Sequence, residues 1–165
     1  MARVLVFFVF CLFLSCSVNY SFTGASVSPE IKTVDVSFFE NRAPLAQPVL
    51  SQRFTEALRT ILQTQTSLAV VDRLGDIHFE GEIIGYTTLP VALQGNETAA
   101  LNRLTITVAV RFVNKQDTKQ NFEQNFSRFA DYESAASLSA IEENLIKEIN
   151  DQLVQDIFNK ALTNW

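Results

Sequence analysis

Four side chains that can bind metal ions or exchange protons stand two residues apart near the middle of the chain: Asp76, His78, Glu80 and Glu82. The alternation around them predicts a β-strand, where such residues project from one face about 6.5–7 Å apart. Neighbours at that distance cannot comfortably share one ion. His78 is the only histidine, and no nucleophile motif such as G-x-S-x-G accompanies it. We therefore expect a solvated or partner-facing strand face, with no metal, no cofactor and no enzymatic activity.

Cys16 is the other residue whose chemistry matters. Arg3 is followed by an apolar run of 11 residues, Val4 to Leu14, which as a helix reaches roughly 17 Å and falls short of the roughly 30 Å bilayer core. A positive residue, a short apolar run and small residues form the layout of an export signal. Leu14-Ser15-Cys16 looks like a lipobox, in which the cysteine thiol takes a diacylglyceryl group and becomes the mature N-terminus.

Residues 1–15 are therefore predicted to be a cleaved lipoprotein signal peptide and residues 16–29 an acylated tether. Acyl chains hold a protein stably on a membrane, and no aspartate follows Cys16, so we expect an outer-membrane lipoprotein that faces the periplasm. A plain secreted protein with one unpaired thiol is the alternative.

The remaining composition is that of one domain of about 150 residues. Arg3 leaves with the signal peptide, so the mature chain carries 18 acidic and 12 basic side chains. An acidic chain of this kind is a poor general binder of nucleic acid. Cys11 also leaves, and with only Cys16 remaining the core must hold the fold without an internal disulfide.

Hydrophobic periodicity gives the order of elements. Val34, Val36 and Phe38 alternate with polar residues in a strand, Pro48 opens an amphipathic helix, and Ile141 to Leu162 continues at helical spacing. We expect an α+β domain over residues 30–165, with two helices on one face of a mainly antiparallel four-stranded sheet in the order β-α-β-β-β-α. The expected strands cover residues 31–39, 76–89, 103–112 and 120–132, with a short additional stretch at 68–71 that leaves three or four strands between the helices, and the expected helices cover 48–65 and 139–162.

Two local features are also predicted. Phe129 breaks the alternation set by Phe122 and Phe126, which suggests a β-bulge near residues 127–128. Ser139 with Glu142 three residues later has the form of a capping box at the start of the second helix.

Arginines mark the face of the sheet that is predicted to be polar. Arg103 and Arg111 lie on the non-core side of the strand over residues 103–112, and we expect Arg128 to join them from the next strand. Lys115 and Lys119 lie in the turn between. Such cations could meet phosphates of an anionic lipid or acidic groups of a partner; the alternative is a mixed surface balanced by the glutamates of the neighbouring strand.

Several stretches resemble the LptE family of lipopolysaccharide-assembly lipoproteins in its Bacteroidetes form. They cover nearly the whole mature chain and are VSFFENRAPLAQPVLSQRFTEAL, HFEGEIIGY, NFEQNFSRFADY, DIFNKALTNW and GNETAALNRLTITV. The last of these stretches, GNETAALNRLTITV, is long enough to be specific.

The resemblance implies two helices against a four-stranded sheet and a partner, an LptD-type outer-membrane β-barrel. The family member plugs the barrel lumen, helps the barrel assemble, and assists the insertion of lipopolysaccharide into the outer leaflet. Cys16 matches the acylated cysteine of the family. The basic lipid-binding residues of the proteobacterial members have no identifiable counterparts here.

Contacts to the barrel wall or to lipid are expected from polar loops as well as from the arginines. Asn41 and Arg42 lie in one such loop and Asn96 in another. The competing hypothesis is a stand-alone periplasmic lipoprotein that binds a ligand in a closed pocket between helices and sheet, without a barrel partner.

Overall fold

The computed structural model describes residues 28–44, 46–91 and 100–163. Cys16, the signal peptide, the tether up to residue 27 and Asn96 lie outside these ranges, so the predictions made for them stay predictions. The elements are β1 (Thr33–Val36), β2 (Glu40–Asn41), α1 (Val49–Gln65), β3 (Ala69–Val71), β4 (Ile77–Val91), β5 (Leu101–Asn114), a 3-10 turn (Thr118–Gln120), β6 (Phe122–Glu133) and α2 (Leu138–Leu162).

The α+β class with two helices is confirmed, but the sheet is mixed rather than mainly antiparallel and has six strands rather than four. β4, β5 and β6 form an antiparallel meander, whereas β1 runs parallel to both β3 and β4, and β2 runs parallel to β4. The parallel pairs arise because α1 carries the chain back across the sheet, so that β3 starts beside the start of β1. β3 is an edge strand of only three residues, and its sequence pattern is too short to indicate its direction.

The first strand is interrupted where a core position was expected. Val34 and Val36 are buried as predicted, but Phe38 is 57 % exposed, and its neighbour Phe39 is fully buried instead. The chain leaves the sheet after Val36: the backbone N–H of Phe39 donates to Thr55 Oγ1 of α1 at 3.1 Å. The prediction for Phe38 was wrong because alternation alone cannot show where a strand ends.

The core lies between the sheet and the two helices. Alternate residues of β4 and β5 meet the apolar stripes of α1 and α2, and the predicted stripe of α2 is confirmed from Leu145 onward. The helix begins as predicted after Pro48, which takes the N-cap position of α1. Among the largest fully buried side chains are five phenylalanines: Phe39, Phe54, Phe79, Phe112 and Phe158.

The capping box at Ser139 is not formed. Ser137 takes the N-cap position of α2, without a side-chain cap, and Glu142 turns inward instead. Its carboxylate accepts hydrogen bonds from the Tyr86 hydroxyl and from Gln47 Nε2. A buried carboxylate needs such donors, so this cluster of three residues ties β4, the start of α1 and the start of α2 together.

The domain is expected to lose stability above about pH 10. Burial, followed by the hydrogen bond to Glu142, raises the pKa of Tyr86 above its ordinary value of 10.0. A group whose pKa is higher in the folded state contributes stability that is complete below the unfolded pKa and is lost as pH rises through the folded pKa. Urea unfolding followed by circular dichroism at about pH 8 and about pH 11 measures this loss.

The control for that experiment is Tyr86→Phe, which cannot ionise. This variant leaves Glu142 one donor short and should be less stable at neutral pH by about 1–3 kcal/mol, but its stability should fall less between the two pH values. Tyr132→Phe removes another buried tyrosine of the core. This variant retains Tyr86 and should therefore still lose the stability that Tyr86 contributes when the pH is raised. Equal losses in the wild type and in Tyr86→Phe would show that Tyr86 is not the responsible group.

The β-bulge lies in β4, not in β6. The pairing of β5 with β6 is continuous, so Phe129 simply projects from the other face than Phe122 and Phe126. In β4 the register shifts between Ile83 and Gly85. This extra residue moves the inward positions of β4 from odd to even numbers, which is why Ile83 and Tyr86 are both buried.

Candidate functional site

The face of β4, β5 and β6 that points away from the helices is the candidate functional site, and we name it the open face. The apolar faces of α1 and α2 pack against the opposite side of the sheet. Its residues pair across the strands in rows. From one end to the other the rows are Leu89–Arg103–Asp131, Thr87–Thr105–Phe129, Gly85–Thr107–Ser127, Glu82–Ala109–Asn125 and Glu80–Arg111–Glu123.

A chain of hydrogen-bonded side chains occupies the charged end of the open face. Arg111 Nη1 donates to Glu80 Oε1 at 2.6 Å, His78 Nε2 lies 3.4 Å from the other oxygen of Glu80, and His78 Nδ1 lies 2.5 Å from Asp35 Oδ2. Burial alone would raise the pKa of Glu80, but the hydrogen bonds from Arg111 and His78 outweigh it and the pKa is lowered. The carboxylate is thus held ionised.

Asp35 is the part of this chain that the sequence pattern missed. It is only 5 % exposed, and its second oxygen accepts the backbone N–H of Gly75 at 2.8 Å. Asp35 lies beside His78 because β1 and β4 are parallel neighbours. The four ligand-type residues are therefore divided: His78 and Glu80 belong to this hydrogen-bonded chain, Glu82 pairs with Arg42, and Asp76 binds the backbone of residues 32 and 33.

The loop residues proposed as contacts have local roles. Arg42 pairs with Glu40 at 3.1 Å and with Glu82 at 3.4 Å, and it remains largely exposed at the border of the open face. Asn41 is directed into its own loop, where Oδ1 accepts the N–H of Ala43 at 2.9 Å and Nδ2 donates to Ala46. Arg42 is thus presented at the surface, and Asn41 shapes the loop that presents it.

A surface depression of about 460 Å³ lies between these two groups of charges. Gly81 and Ala109 form its floor, Phe38 stands at its rim, and the paired residues Arg42 and Arg111 line it. An atom in place of the missing side chain of Gly81 would lie 2.1 Å from the carbonyl oxygen of Ala109. That atom would also lie 2.6 Å from the ring of the buried Phe39, so position 81 faces the core side and requires glycine.

Hydroxyl groups fill the middle of the open face. Thr107 Oγ1 and Ser127 Oγ are hydrogen-bonded at 3.0 Å, and Thr87 pairs with Thr105 across β4 and β5. These short side chains are half-buried or exposed. They leave a flat strip that can donate and accept hydrogen bonds without charge.

The other end of the open face combines apolar and charged groups. Arg103 donates to both carboxylate oxygens of Asp131, at 2.7 and 2.8 Å, and its guanidinium lies 3.6 Å from the centre of the Phe129 ring. Leu89 is 65 % exposed and Phe129 is 46 % exposed. The hydrogen bond with Asp131 raises the pKa of Arg103 and lowers that of Asp131, so this pair stays charged.

Arg128 does not belong to the open face. It pairs across the sheet with Ile106 on the helix side, and its guanidinium donates to both oxygens of Asp156 in α2 at 2.5 and 2.8 Å. The hydrogen bond with Asp156 raises the pKa of Arg128. The expectation that it joins Arg103 and Arg111 was wrong because it assumed a bulge in β6.

The chemistry of the open face is that of non-covalent contact. Within residues 28–44, 46–91 and 100–163 there is no group of three or more His, Cys, Asp or Glu side chains placed to hold a metal ion, and none of the helices in these ranges is long and apolar enough to span a membrane. The arginines of the open face are paired with carboxylates. What the open face offers is hydrogen bonds, paired charges and a few exposed apolar groups.

Comparisons with known proteins give solved structures with the same fold and one matching sequence family. Among the solved structures that share the fold are a minor lipoprotein of Acinetobacter baumannii (15 % identity, TM-score 0.51, covering 79 % of this chain and 92 % of that one) and a hypothetical protein of Chlamydia trachomatis (11 % identity, TM-score 0.54, covering 81 % and 99 %). No curated protein matches the sequence. The sequence model of the LptE family, described as lipopolysaccharide-assembly, matches residues 31–161.

That match covers every strand of the sheet, including the open face, and both helices except the last residue of α2. The chain therefore belongs to the LptE family of lipopolysaccharide-assembly proteins.

Proposed function

We propose that this chain is an acylated outer-membrane lipoprotein that plugs an LptD-type β-barrel and assists the insertion of lipopolysaccharide into the outer leaflet. The proposal rests on family membership and on one observation, the open face. A large barrel has a polar, wet interior. A domain held inside it needs a surface that hydrogen-bonds well and carries no unpaired charge into the interface.

The open face meets this requirement through its pairing. Arg103 and Arg111 are each bound to a carboxylate, so contact with the barrel wall would not bury either arginine as an isolated charge, which is costly. Thr105 and Thr107 add neutral hydrogen-bonding groups between them. Exposed Leu89 and Phe129 add apolar contact at one end, as interfaces commonly do.

The packing of the core supports the barrel hypothesis over the stand-alone one. A domain that binds its ligand between helices and sheet would leave room there, whereas the described part of this layer is filled by fully buried side chains such as Phe54, Phe79 and Phe158. The depression of about 740 Å³ beside Tyr86 and Leu138 is open and lies at the surface. A ligand pocket would ordinarily enclose most of its ligand.

The localisation we propose follows from Cys16. An acyl anchor on this residue holds the domain at the periplasmic side of the outer membrane, or within the lumen of the barrel. Two or more acyl chains make such anchoring stable. The mass of the mature N-terminus tests the anchor directly, since acylation adds the mass of the lipid to Cys16.

The experiment that tests the barrel partner is a pull-down from detergent-solubilised outer membranes, with a tag placed after Trp165 and mass spectrometry of the eluate. A near-stoichiometric LptD-type barrel is the expected result. A clean monomer from fully solubilised membranes would contradict the proposal and favour the stand-alone ligand-binding lipoprotein.

A further inference from the structure

β6 forms one edge of the sheet, and β5 is its only partner within the part of the chain that the structure describes. The strand order is β3-β1-β4-β5-β6, so that β3 and β6 are the two edges. β3 has three residues, whereas β6 has twelve and contains neither a proline nor a bulge. Natural proteins commonly shorten, kink or cover long regular edges, because such edges are templates for another strand.

The hydrogen-bond register shows which residues of β6 direct their backbone outward. Ser134 donates its N–H to the carbonyl of Ala100 at 2.9 Å, and the β5–β6 pairing continues from there in unbroken register. Hydrogen-bonded and non-hydrogen-bonded pairs alternate in an antiparallel ladder. The even-numbered residues of β6 therefore bond to β5, and the odd-numbered residues direct N–H and C=O away from the sheet. These outward residues are Glu123, Asn125, Ser127, Phe129, Asp131 and Glu133.

The outward residues of β6 also carry the last side chains of the open face. They lie opposite the open-face residues of β5, and all of them are exposed. A strand added to this edge would therefore bond the outward backbone groups and lengthen each row of the open face by one residue. The edge is thus continuous with the surface that we propose to contact the barrel.

Charge indicates which kind of strand would fit this edge. Three of the outward residues are acidic and none is basic. Asp131 is paired with Arg103, but neither Glu123 nor Glu133 takes part in an ion pair among the described residues. Opposite charges directly across two strands stabilise the pairing, and like charges destabilise it. Lysine or arginine side chains on the added strand would suit both ends of the edge.

The cations near the edge leave this preference in place. Lys119 lies in the turn before β6, and Lys160 of α2 lies 5.8 Å from the ring centre of Phe122 on the helix side. Both are at the start of the strand, where they offset part of the charge of Glu123. Glu133 lies ten residues further along, at roughly 33 Å, which is far beyond the screening length at physiological salt.

A second copy of the chain is a poor occupant of the edge. Its β6 would bring the same three outward carboxylates. The single cation of that strand, Arg128, is on the helix side and is already bound to Asp156. The carboxylates therefore disfavour pairing between two copies and leave the edge to a strand of opposite charge.

We propose that an extended, basic segment of the barrel protein adds to β6 as a seventh strand of the sheet. The inference rests on the proposed function, since it takes the barrel protein as the source of the segment. In such strand addition the main-chain hydrogen bonds supply affinity, and the carboxylates at the two ends of the edge would fix the register of the added strand.

Hydrogen exchange resolved to single amides tests the inference on the acylated lipoprotein alone and on its complex with the barrel, purified from outer membranes. In the free lipoprotein the even-numbered amides of β6 should exchange slowly and the odd-numbered ones fast, because only the even ones are bonded to β5. In the complex the odd-numbered amides should slow by at least about tenfold. This alternation reports backbone pairing at the edge itself.

Variants separate the backbone contribution from the charge contribution. Asn125→Pro removes an outward N–H that β5 does not use, a position where an edge strand tolerates proline, and Asn125→Ala is the matched control that keeps the N–H. The proline variant should retain about fivefold less barrel, the factor for one backbone hydrogen bond, and circular dichroism should show both variants folded. Glu123→Lys combined with Glu133→Lys should also lose barrel, whereas the same charge change at two exposed helix residues, Glu56→Lys with Glu148→Lys, should not.

The possible failures are distinguishable. A barrel complex whose odd-numbered amides exchange as fast as in the free lipoprotein would overturn the inference and leave the plug proposal intact, as would equal retention of the barrel by the proline and alanine variants. Slow exchange of these amides in the free lipoprotein, increasing with its concentration, would assign the edge to a second copy instead. Absence of any barrel from the wild-type pull-down would overturn the plug proposal and this inference together.

Discussion

Replacing Gly81 by valine is expected to destabilise the domain by about 3 kcal/mol, at or above the upper end for overpacked sites. A side-chain atom at this position would lie 2.1 Å from the carbonyl oxygen of Ala109 and 2.6 Å from the ring of Phe39. Neither neighbour can yield easily, because the first belongs to the β4–β5 ladder and the second is fully buried in the core. The strand pairing or the position of Phe39 must give way.

Gly85→Ala is the control, since Gly85 belongs to the same strand but pairs with Thr107 on the open face, whereas Gly81 pairs with the buried Val110 on the core side. The added atom there would lie 3.0 Å from Cβ of Thr107 and 3.2 Å from its hydroxyl, so that a small side chain can adjust. We expect a loss of about 1 kcal/mol or less. Urea unfolding of both variants, followed by circular dichroism, decides the matter, and equal losses would show that the contact with Ala109 is not what excludes a side chain at Gly81.

The long elements were predictable because their periodicity is strong. The helix from Pro48 to Gln65, the stripe of α2 and the alternation of β5 follow directly from the spacing of apolar residues. The parallel direction of β1 and β3 was not predictable. It depends on how a crossover helix returns the chain, and a strand of three or four residues leaves too few positions to indicate direction.

The sequence predicted which face of the sheet carries the candidate site, but it did not predict which side chains pair with one another there. Arg103 and Arg111 were placed correctly because β5 alternates without interruption. Arg128 was misplaced since a break in alternation was attributed to a bulge, whereas Phe129 is an exposed aromatic on the open face. Had Phe129 been interpreted as a surface residue, the register of β6 and the position of Arg128 would both have followed.

The burial of Asp35 and Glu142 shows a different limit. Each is a carboxylate whose partners lie far away in sequence, His78 for the first and Tyr86 for the second. Local patterns favour a solvated position for such residues, and in the case of Glu142 they also favour a capping box. Long-range pairing overrode the local preference because a buried donor and a buried acceptor stabilise each other.

Thr107→Trp is expected to reduce the barrel that co-purifies with this lipoprotein at least tenfold, with little loss of stability. Thr107 lies in the middle row of the open face and is half-buried there. An indole at this position would project from the sheet and separate the two surfaces, since interface cores pack as closely as protein interiors. Trp is well tolerated in strands, so the domain itself should fold.

The same substitution on the helix side provides the control. Thr60 is exposed on α1, and Thr60→Trp adds the same bulk to the opposite side of the domain. If the open face contacts the barrel wall, Thr60→Trp keeps the barrel and Thr107→Trp loses it. The reverse outcome would place the wall against the helices and leave the open face turned to the lumen, where lipopolysaccharide rather than protein would meet the paired charges of Arg103 and Arg111. If both variants lose the co-purifying barrel, the barrel contacts the domain on both sides. If both variants keep the barrel, neither the open face nor the helix side belongs to the interface.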